Sequence, residues 1–298
     1  MKNVKNKKTQ KMAKLVVAFV LLMVCTTSLF GCTVQIPNAK NTKKLASTTG
    51  TWLWQARVDD KYVDFAIQNG VDEIYYSCGY KFDGVDANFM QRAKAGGIKV
   101  FFLCGEKEWI DDSTDLDAIV KKYLAYNASN QQTQFAGIHF DVEPQQFDDF
   151  QANRTAYLQK YIDFVHSTSI KYANINLDFD IPAWFNDEIE YDGKTKQAFK
   201  FVTDFASRIF VMSYRDSAEK IFATGKDEFE YASQVGKAMF FGVETNYTDE
   251  GDNISFFEEG KTYFESEIQN LKALVGENFN LSVHHLKSWF DLPTDSRE

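Results

Sequence analysis

Ala136-Gly137-Ile138-His139-Phe140-Asp141-Val142-Glu143-Pro144 is the stretch on which the fold turns. Apolar and polar side chains alternate along it with the period of two that marks a β-strand, and Pro144, which has no N–H to donate, ends the ladder. Ile138, Phe140 and Val142 share one face. Gly137, His139, Asp141 and Glu143 share the other. One face is therefore made for burial against helices, and the other brings two carboxyls into a common space.

Seven further runs of the same kind flank it. The expected strands are Thr51–Gln55, Glu73–Cys78, Lys99–Cys104, Ala136–Val142, Ala173–Asp180, Ile209–Tyr214, Ala238–Glu244 and Asn280–His285. Between them lie stretches with apolar residues at helical spacing: Asp59–Asn69, Asp86–Ala95, Asp115–Tyr126, Asn153–Ser167, Lys194–Phe205, Lys226–Val235 and Gly260–Val275. Gly70, Gly96-Gly97 and Gly276 fall where helix C-caps belong. Eight strands alternating with helices over about 250 residues is the count of a (β/α)8 TIM barrel. A doubly wound sheet usually carries a glycine-rich turn after its first strand, and here that segment reads Trp54-Gln55-Ala56-Arg57. No linker interrupts residues 50–298, so a single α/β barrel domain is expected.

In such a barrel the chemistry gathers at the C-terminal strand ends. Two like charges two residues apart on one inward face cannot both ionise easily, so one carboxyl keeps its proton to higher pH, which is what a general acid requires. Glu143 is the candidate acid, with Asp141 beside it. On the fifth strand Asn174, Asn176, Asp178 and Asp180 share the inward face, and Trp184 follows in a loop from which an indole can stack on a sugar. The sixth strand offers Tyr214 and Asp216, the seventh Glu244 and Asn246, the eighth His284 and Trp289, and the first Trp52 and Trp54. These, with His139, are the expected substrate-facing rim.

The chain has 298 residues and a formal net charge of −9. Residues 1–31 carry six lysines and no acid, followed by an eleven-residue apolar run, Leu15–Cys25, too short for the ~20 residues of a membrane span. Leu29-Phe30-Gly31-Cys32 resembles a bacterial lipobox, with a bulky Phe30 as its one departure. The resemblance implies a signal peptide over residues 1–31, a diacylglyceryl thioether on Cys32, a polar tether over 32–49, and an exported protein anchored to the outer face of the cell membrane. From Cys32 onward, 27 Lys+Arg oppose 42 Asp+Glu, or −15. Such an acidic surface excludes a nucleic-acid partner, which demands basic residues to displace counterions. Cys78 and Cys104, each ending a strand, fit either a disulfide or two buried thiols.

The fourth strand is similar to the signature of the chitinase-type glycoside hydrolases, Asp-Gly-x-Asp-x-Asp-x-Glu. Gly137, Asp141 and Glu143 match; Ala136 and His139 replace the two earlier acids. Met212-Ser213-Tyr214 resembles that family's sixth-strand Met-x-Tyr, with Arg215 in place of the Asp that should follow. Trp289 is similar to its barrel-floor tryptophan. The resemblance implies that Glu143 protonates the glycosidic oxygen, while Asp141 and Tyr214 orient a substrate N-acetyl group as internal nucleophile. A second resemblance is to two-carboxylate retaining glycosidases, with Glu143-Pro144 after strand four as acid and Glu244 on strand seven as nucleophile. A third, to a group of bacterial barrel proteins of unassigned activity, rests on Asp141-Val142-Glu143-Pro144, Asp180-Ile181-Pro182, Met212-Ser213-Tyr214-Arg215-Asp216, Gly242-Val243-Glu244-Thr245 and His284-His285.

These readings imply a carbohydrate partner and no cofactor. His139, Asp141, Glu143 and His284 are residue types that suit a metal, but no compact ligand motif supports one. Asp249–Asn253 lacks the spacing of a calcium loop. The leading expectation is a surface glycoside hydrolase; its rival is a non-catalytic saccharide- or peptidoglycan-binding lipoprotein.

Overall fold

The strand that opens the barrel, β1 (Thr48–Leu53), pairs in parallel with both the second strand and the last, so the sheet closes on itself. The structure is a computed structural model and describes residues 46–251 and 253–295, all within one compact unit. In chain order, β1 is followed by α1 (Asp60–Gln68), β2 (Glu73–Tyr76), α2 (Ala87–Ala95), β3 (Lys99–Cys104), α3 (Thr114–Ser129) and β4 (Ile138–Phe140). Then come α4 (Arg154–Lys171), β5 (Leu177–Pro182), β6 (Glu188–Tyr191), β7 (Lys194–Gln197), α5 (Ala198–Phe205), β8 (Arg208–Met212), α6 (Ala218–Val235), β9 (Ala238–Glu244), α7 (Gly260–Val275), β10 (Asn280–His284) and α8 (Leu286–Asp291). Among the described residues, β1-β10-β9-β8-β5-β4-β3-β2 form a closed, all-parallel barrel, as the alternation predicts.

Two cores hold it. Outward-facing strand residues such as Ile138, Phe140, Phe179 and Val211 pack beneath the apolar faces of the helices in one continuous shell. Inside the barrel lies a separate cluster of five aromatic residues and one leucine: Trp52, Tyr75, Phe101, Leu103, Phe210 and Phe240. The helices begin where short acids can take up free N–H groups: Asp59 accepts from Lys61 N and Asp86 from Phe89 N, each at 3.1 Å.

The N-terminal end of the lumen is closed by Arg208. Its guanidinium donates to Asp178 at 2.8 and 2.6 Å and to Glu73 at 3.0 and 2.8 Å. Its carbon centre lies 4.9, 5.4 and 5.2 Å from the rings of Phe101, Phe210 and Phe240. A half-buried cation on aromatic faces between two buried carboxylates is a paired charge, the form in which such burial is tolerable.

Several boundaries differ from expectation. β1 starts at Thr48, inside the expected tether. β5 starts at Leu177 rather than Ala173, because Tyr172–Ile175 form the turn that closes α4. The first third of the helix expected over Lys194–Phe205 is strand: β6 and β7 form an antiparallel hairpin whose turn, Asp192-Gly193, has φ of 49° and 69°. Two positive φ values are what a tight two-residue hairpin turn requires, and Asp-Gly supplies them. Cys78 and Cys104 are buried free thiols. The expected signal peptide and Cys32 lie outside the described residues.

Candidate active site

The fourth strand delivers its inward residues to successive heights of the lumen. His139 lies deep, Asp141 at the rim, and Glu143 just beyond, immediately before a 3-10 turn at Pro144–Gln146. A cavity of about 370 Å³ opens there, lined by Trp54, Gly105, Glu106, Lys107, Glu108, Asp141, Glu143, Gln146 and His284. Gly105 makes the rim compact: a Cβ on it would sit 1.7 Å from the Asp141 carbonyl oxygen, so only glycine lets the chain leaving β3 cross so near β4.

Burial, then the nearby charge of Asp180, raises the Glu143 carboxyl above its usual range, although Gln146, His284 and Gln145 pull the other way. Gln145 Nε2 donates to Glu143 Oε2 at 2.5 Å. Asp141 is raised further, by burial and then by Asp180 and Glu143, and its Oδ1 is buried without a hydrogen-bond partner among the described residues. Both carboxyls, at the floor of an open cavity, are thus shifted toward holding a proton to higher pH.

Below them His139 and Asp180 are fully enclosed. His139 Nε2 contacts both Asp180 oxygens at 3.0 Å, and Trp52 Nε1 donates to Asp180 Oδ2 at 3.1 Å. Burial alone would lower the His139 imidazole, but Asp180, with Asp178, outweighs it and lifts the ring to about 9. His139 is thus an imidazolium at neutral pH. Its Nδ1 lies 3.6 Å from Asp178 Oδ2, an ion-pair contact longer than a hydrogen bond.

On the opposite side, Glu244 Oε2 meets His284 Nδ1 at 2.7 Å while Oε1 accepts the backbone N–H groups of Thr245 and Asn246 at 2.8 and 2.7 Å. Trp54 Nε1 donates to His284 Nε2 at 3.1 Å. Tyr214 leans across β9, where a Cβ on Gly242 would come within 3.3 Å of its ring, and its centroid lies 6.1 Å from that of His284. Burial, then the charges of Glu244, Asp180, Asp141 and Glu143, push its hydroxyl well above the usual tyrosine range.

The rim thus gathers Asp141, Glu143, Tyr214, Glu244, His284 and Trp54, with His139, Asp180 and Trp52 beneath. Other expected rim residues stand elsewhere. Asp178 faces inward but one layer lower, bound to Arg208. Asn176 is exposed at the N-terminal end, donating to Ala136 O at 2.9 Å. Trp289 is 1% exposed on α8, edge-on to Phe65 and Phe264 at 5.2 and 5.8 Å, so it packs in the helix shell and cannot touch a ligand in the mouth. Trp184 lies under the Arg154 guanidinium at 4.3 Å, outside the cavity lining. Asp216 pairs with Lys220 at 3.1 Å. Asn246 contributes its backbone. Glu106, Lys107 and Glu108 also line the cavity; their only signal in the sequence is a charged run directly after a barrel strand. Among the described residues, no group of three or more His, Cys, Asp or Glu side chains is arranged to hold a metal ion.

No protein-family model and no curated protein matches the chain. Solved structures do. The spore cortex-lytic enzyme SleL of Bacillus cereus superposes with a TM-score of 0.51 at 12% identity, over 85% of this chain and 72% of that one. A chitinase from Bacteroides thetaiotaomicron superposes with a TM-score of 0.51 at 10% identity, over 82% of this chain and 90% of that one. At such identities the likeness is one of fold, and the chain is a (β/α)8 barrel similar to those of a chitinase and a spore cortex-lytic enzyme.

Proposed function

We propose that the chain is a glycoside hydrolase acting on a polysaccharide or amino-sugar glycan, exported and held at the outer face of the cell membrane by a lipid on Cys32. The observation that carries the catalytic reading is Glu143, a carboxyl raised by burial at the wall of an open cavity beside Asp141. A protonated carboxyl there can give its proton to a glycosidic oxygen as the bond to the anomeric carbon breaks. Asp141, whose buried Oδ1 lacks a partner among the described residues, would hydrogen-bond an acyl-amino group on the neighbouring ring carbon, and Tyr214 approaches from β8. The acyl oxygen would then bond the anomeric carbon as the leaving oxygen takes the proton from Glu143. Water would open that intermediate with Glu143 as base.

Glu244 fits a nucleophile poorly. Both of its oxygens are engaged, one by His284 and one by two backbone N–H groups. The structure therefore supports the substrate-assisted reading over the two-carboxylate one. The rival, a saccharide-binding lipoprotein without turnover, is favoured by one observation: a cation, His139, where the signature has an acid.

The test is hydrolysis of a panel of N-acetylated and neutral glycans by the barrel domain and by Glu143→Gln. Turnover by the former alone supports the enzyme. Binding to both without turnover supports the rival. The anchor is tested separately by lipid labelling of the full chain and its loss in Cys32→Ser.

A further inference from the structure

Residue 139 is where the chitinase-type signature has an acid and this chain has a histidine. β4 and β5 run in register with Phe140 beside Phe179, which sets Asp141 beside Asp180 on the same inward face of neighbouring parallel strands. Strands so paired lie about 4.8 Å apart, so their carboxyls compete for one small, dry volume. Like charges in that setting cannot both be ionised, and one proton stays between them.

The surroundings decide where it stays. Both Asp180 oxygens already face N–H donors, Trp52 Nε1 and His139 Nε2. The His139 ring cannot move away. It is stacked on Tyr75 with centroids 4.0 Å apart and is met edge-on by Phe210 at 4.6 Å and Trp52 at 5.6 Å. Tyr161 of α4 fixes the Asp180 backbone from the other side, donating to its carbonyl at 2.6 Å. Asp141 has no such donors, and its Oδ1 is buried and unpartnered among the described residues. The ionisable groups facing the pair are His139 and Glu143 on the β4 segment, Asp178 on β5, Tyr75 on β2, Cys104 on β3, Tyr214 after β8 and Tyr161 on α4.

We propose that Asp180 is a positioning residue: a carboxyl braced by His139 and Trp52 that shares one proton with Asp141 beside Glu143 and so supplies from the fifth strand the carboxyl that residue 139 no longer provides. An Asp141 that carries a proton is a donor toward the substrate acyl-amino group in the resting site. It can pass that proton toward Asp180 as positive charge develops on the sugar, leaving Asp141 as the nearer anion. The proton only changes oxygens, and no outside reactant is needed.

The catalytic half of this inference rests on the glycosidase reading; the position of the proton does not, and the two are tested apart. Infrared spectra of the barrel domain should contain a protonated carboxyl band that disappears in Asp141→Asn and shifts or disappears in Asp180→Asn. Absence of the band in the parent protein, or its indifference to both variants, overturns the proposal whatever the activity. In hydrolysis, Asp180→Asn should lower kcat by about 10²-fold with little change in KM and should move the pH profile. The exchange variant His139→Asp/Asp180→His, which returns the acid to strand four and keeps the charge balance, should recover part of that loss. An Asp180→Asn protein with parental kcat and pH profile overturns the positioning role. If the parent protein hydrolyses no glycan, the glycosidase reading fails and the infrared result alone decides. A fold check by thermal unfolding accompanies each variant; if the exchange variant does not fold, Asp180→Asn and the infrared pair carry the decision.

Discussion

Glu244 holds His284 by a 2.7 Å contact to Nδ1 while Trp54 donates its indole N–H to Nε2 of the same ring at 3.1 Å. An indole N–H is only a donor, so Nε2 must present its lone pair and Nδ1 must carry the hydrogen. The tautomer follows from the partners on both sides, and it leaves an acceptor at the cavity wall, capped by a tryptophan that is 45% exposed. Glu244→Gln reverses this order when its amide donates to Nδ1, because Nε2 must then hold the hydrogen and turn away the Trp54 N–H. The expected outcome is a changed His284 tautomer in nitrogen NMR spectra and a loss of activity near tenfold. Loss of a nucleophile would be far larger, so a collapse to background in Glu244→Gln would restore the two-carboxylate mechanism.

Glu143 must be protonated to act as an acid, and its raised pKa extends that state toward neutral pH. The rate should therefore fall as pH rises through the raised value. Glu143→Gln should lose about 10²- to 10⁴-fold on glycosides with poor leaving groups and much less on activated aryl glycosides, which need no proton. Comparing the two substrate classes in one pH series checks both statements.

Glu228 on α6 is wholly enclosed, with neither carboxyl oxygen hydrogen-bonded among the described residues, and burial raises its pKa to about 7. Its folded pKa lies above the unfolded value. The contribution to stability is therefore complete below the unfolded pKa and is lost as pH rises through about 7. Glu228→Gln should be more stable than the parent at pH 8 by on the order of 2–3 kcal/mol and close to it at pH 4. Denaturant titrations at the two pH values settle it; equal differences at both would show that the carboxyl is not the cause.

Arg208 neutralises Asp178 and Glu73 inside the barrel. Arg208→Leu leaves both carboxylates without their cation, and breaking a buried pair from one side costs about 3–5 kcal/mol. Urea unfolding should show that loss at neutral pH and a smaller one in acid, where the two acids can protonate. A Leu variant as stable as the parent at pH 7 would mean that the aromatic cluster alone closes this end.

The alternation of strands and helices made the barrel legible, and the period of two correctly divided β4 between shell and lumen. The same period could not give depth. Asp178 and Asp180 stand on one face, yet one binds Arg208 at the floor and the other reaches Asp141. Height in the lumen depends on strand stagger, which no single strand encodes. Asn174 and Asn176 imitated a strand because the turn after α4 also alternates polar and apolar residues. Trp289 has no depth signal of its own, because an indole that follows a strand looks the same whether the chain bends into the mouth or, as α8 does, back over Phe65. The β6–β7 hairpin was readable in Asp192-Gly193 and was overridden by the helical pattern beyond it. Glu106 and Glu108 lie after a strand whose own residues are apolar, so nothing on β3 drew attention to its loop.

All eight barrel strands run the same way, and β1 enters at Thr48 beside Asn280, at the end closed by Arg208. Ala46, the first described residue, therefore lies at the face opposite Glu143. A barrel coupled to an affinity support through Ala46 would stand like a cup on its base: its opening would point away from the support, and a long polymer could be gripped without first passing between protein and surface.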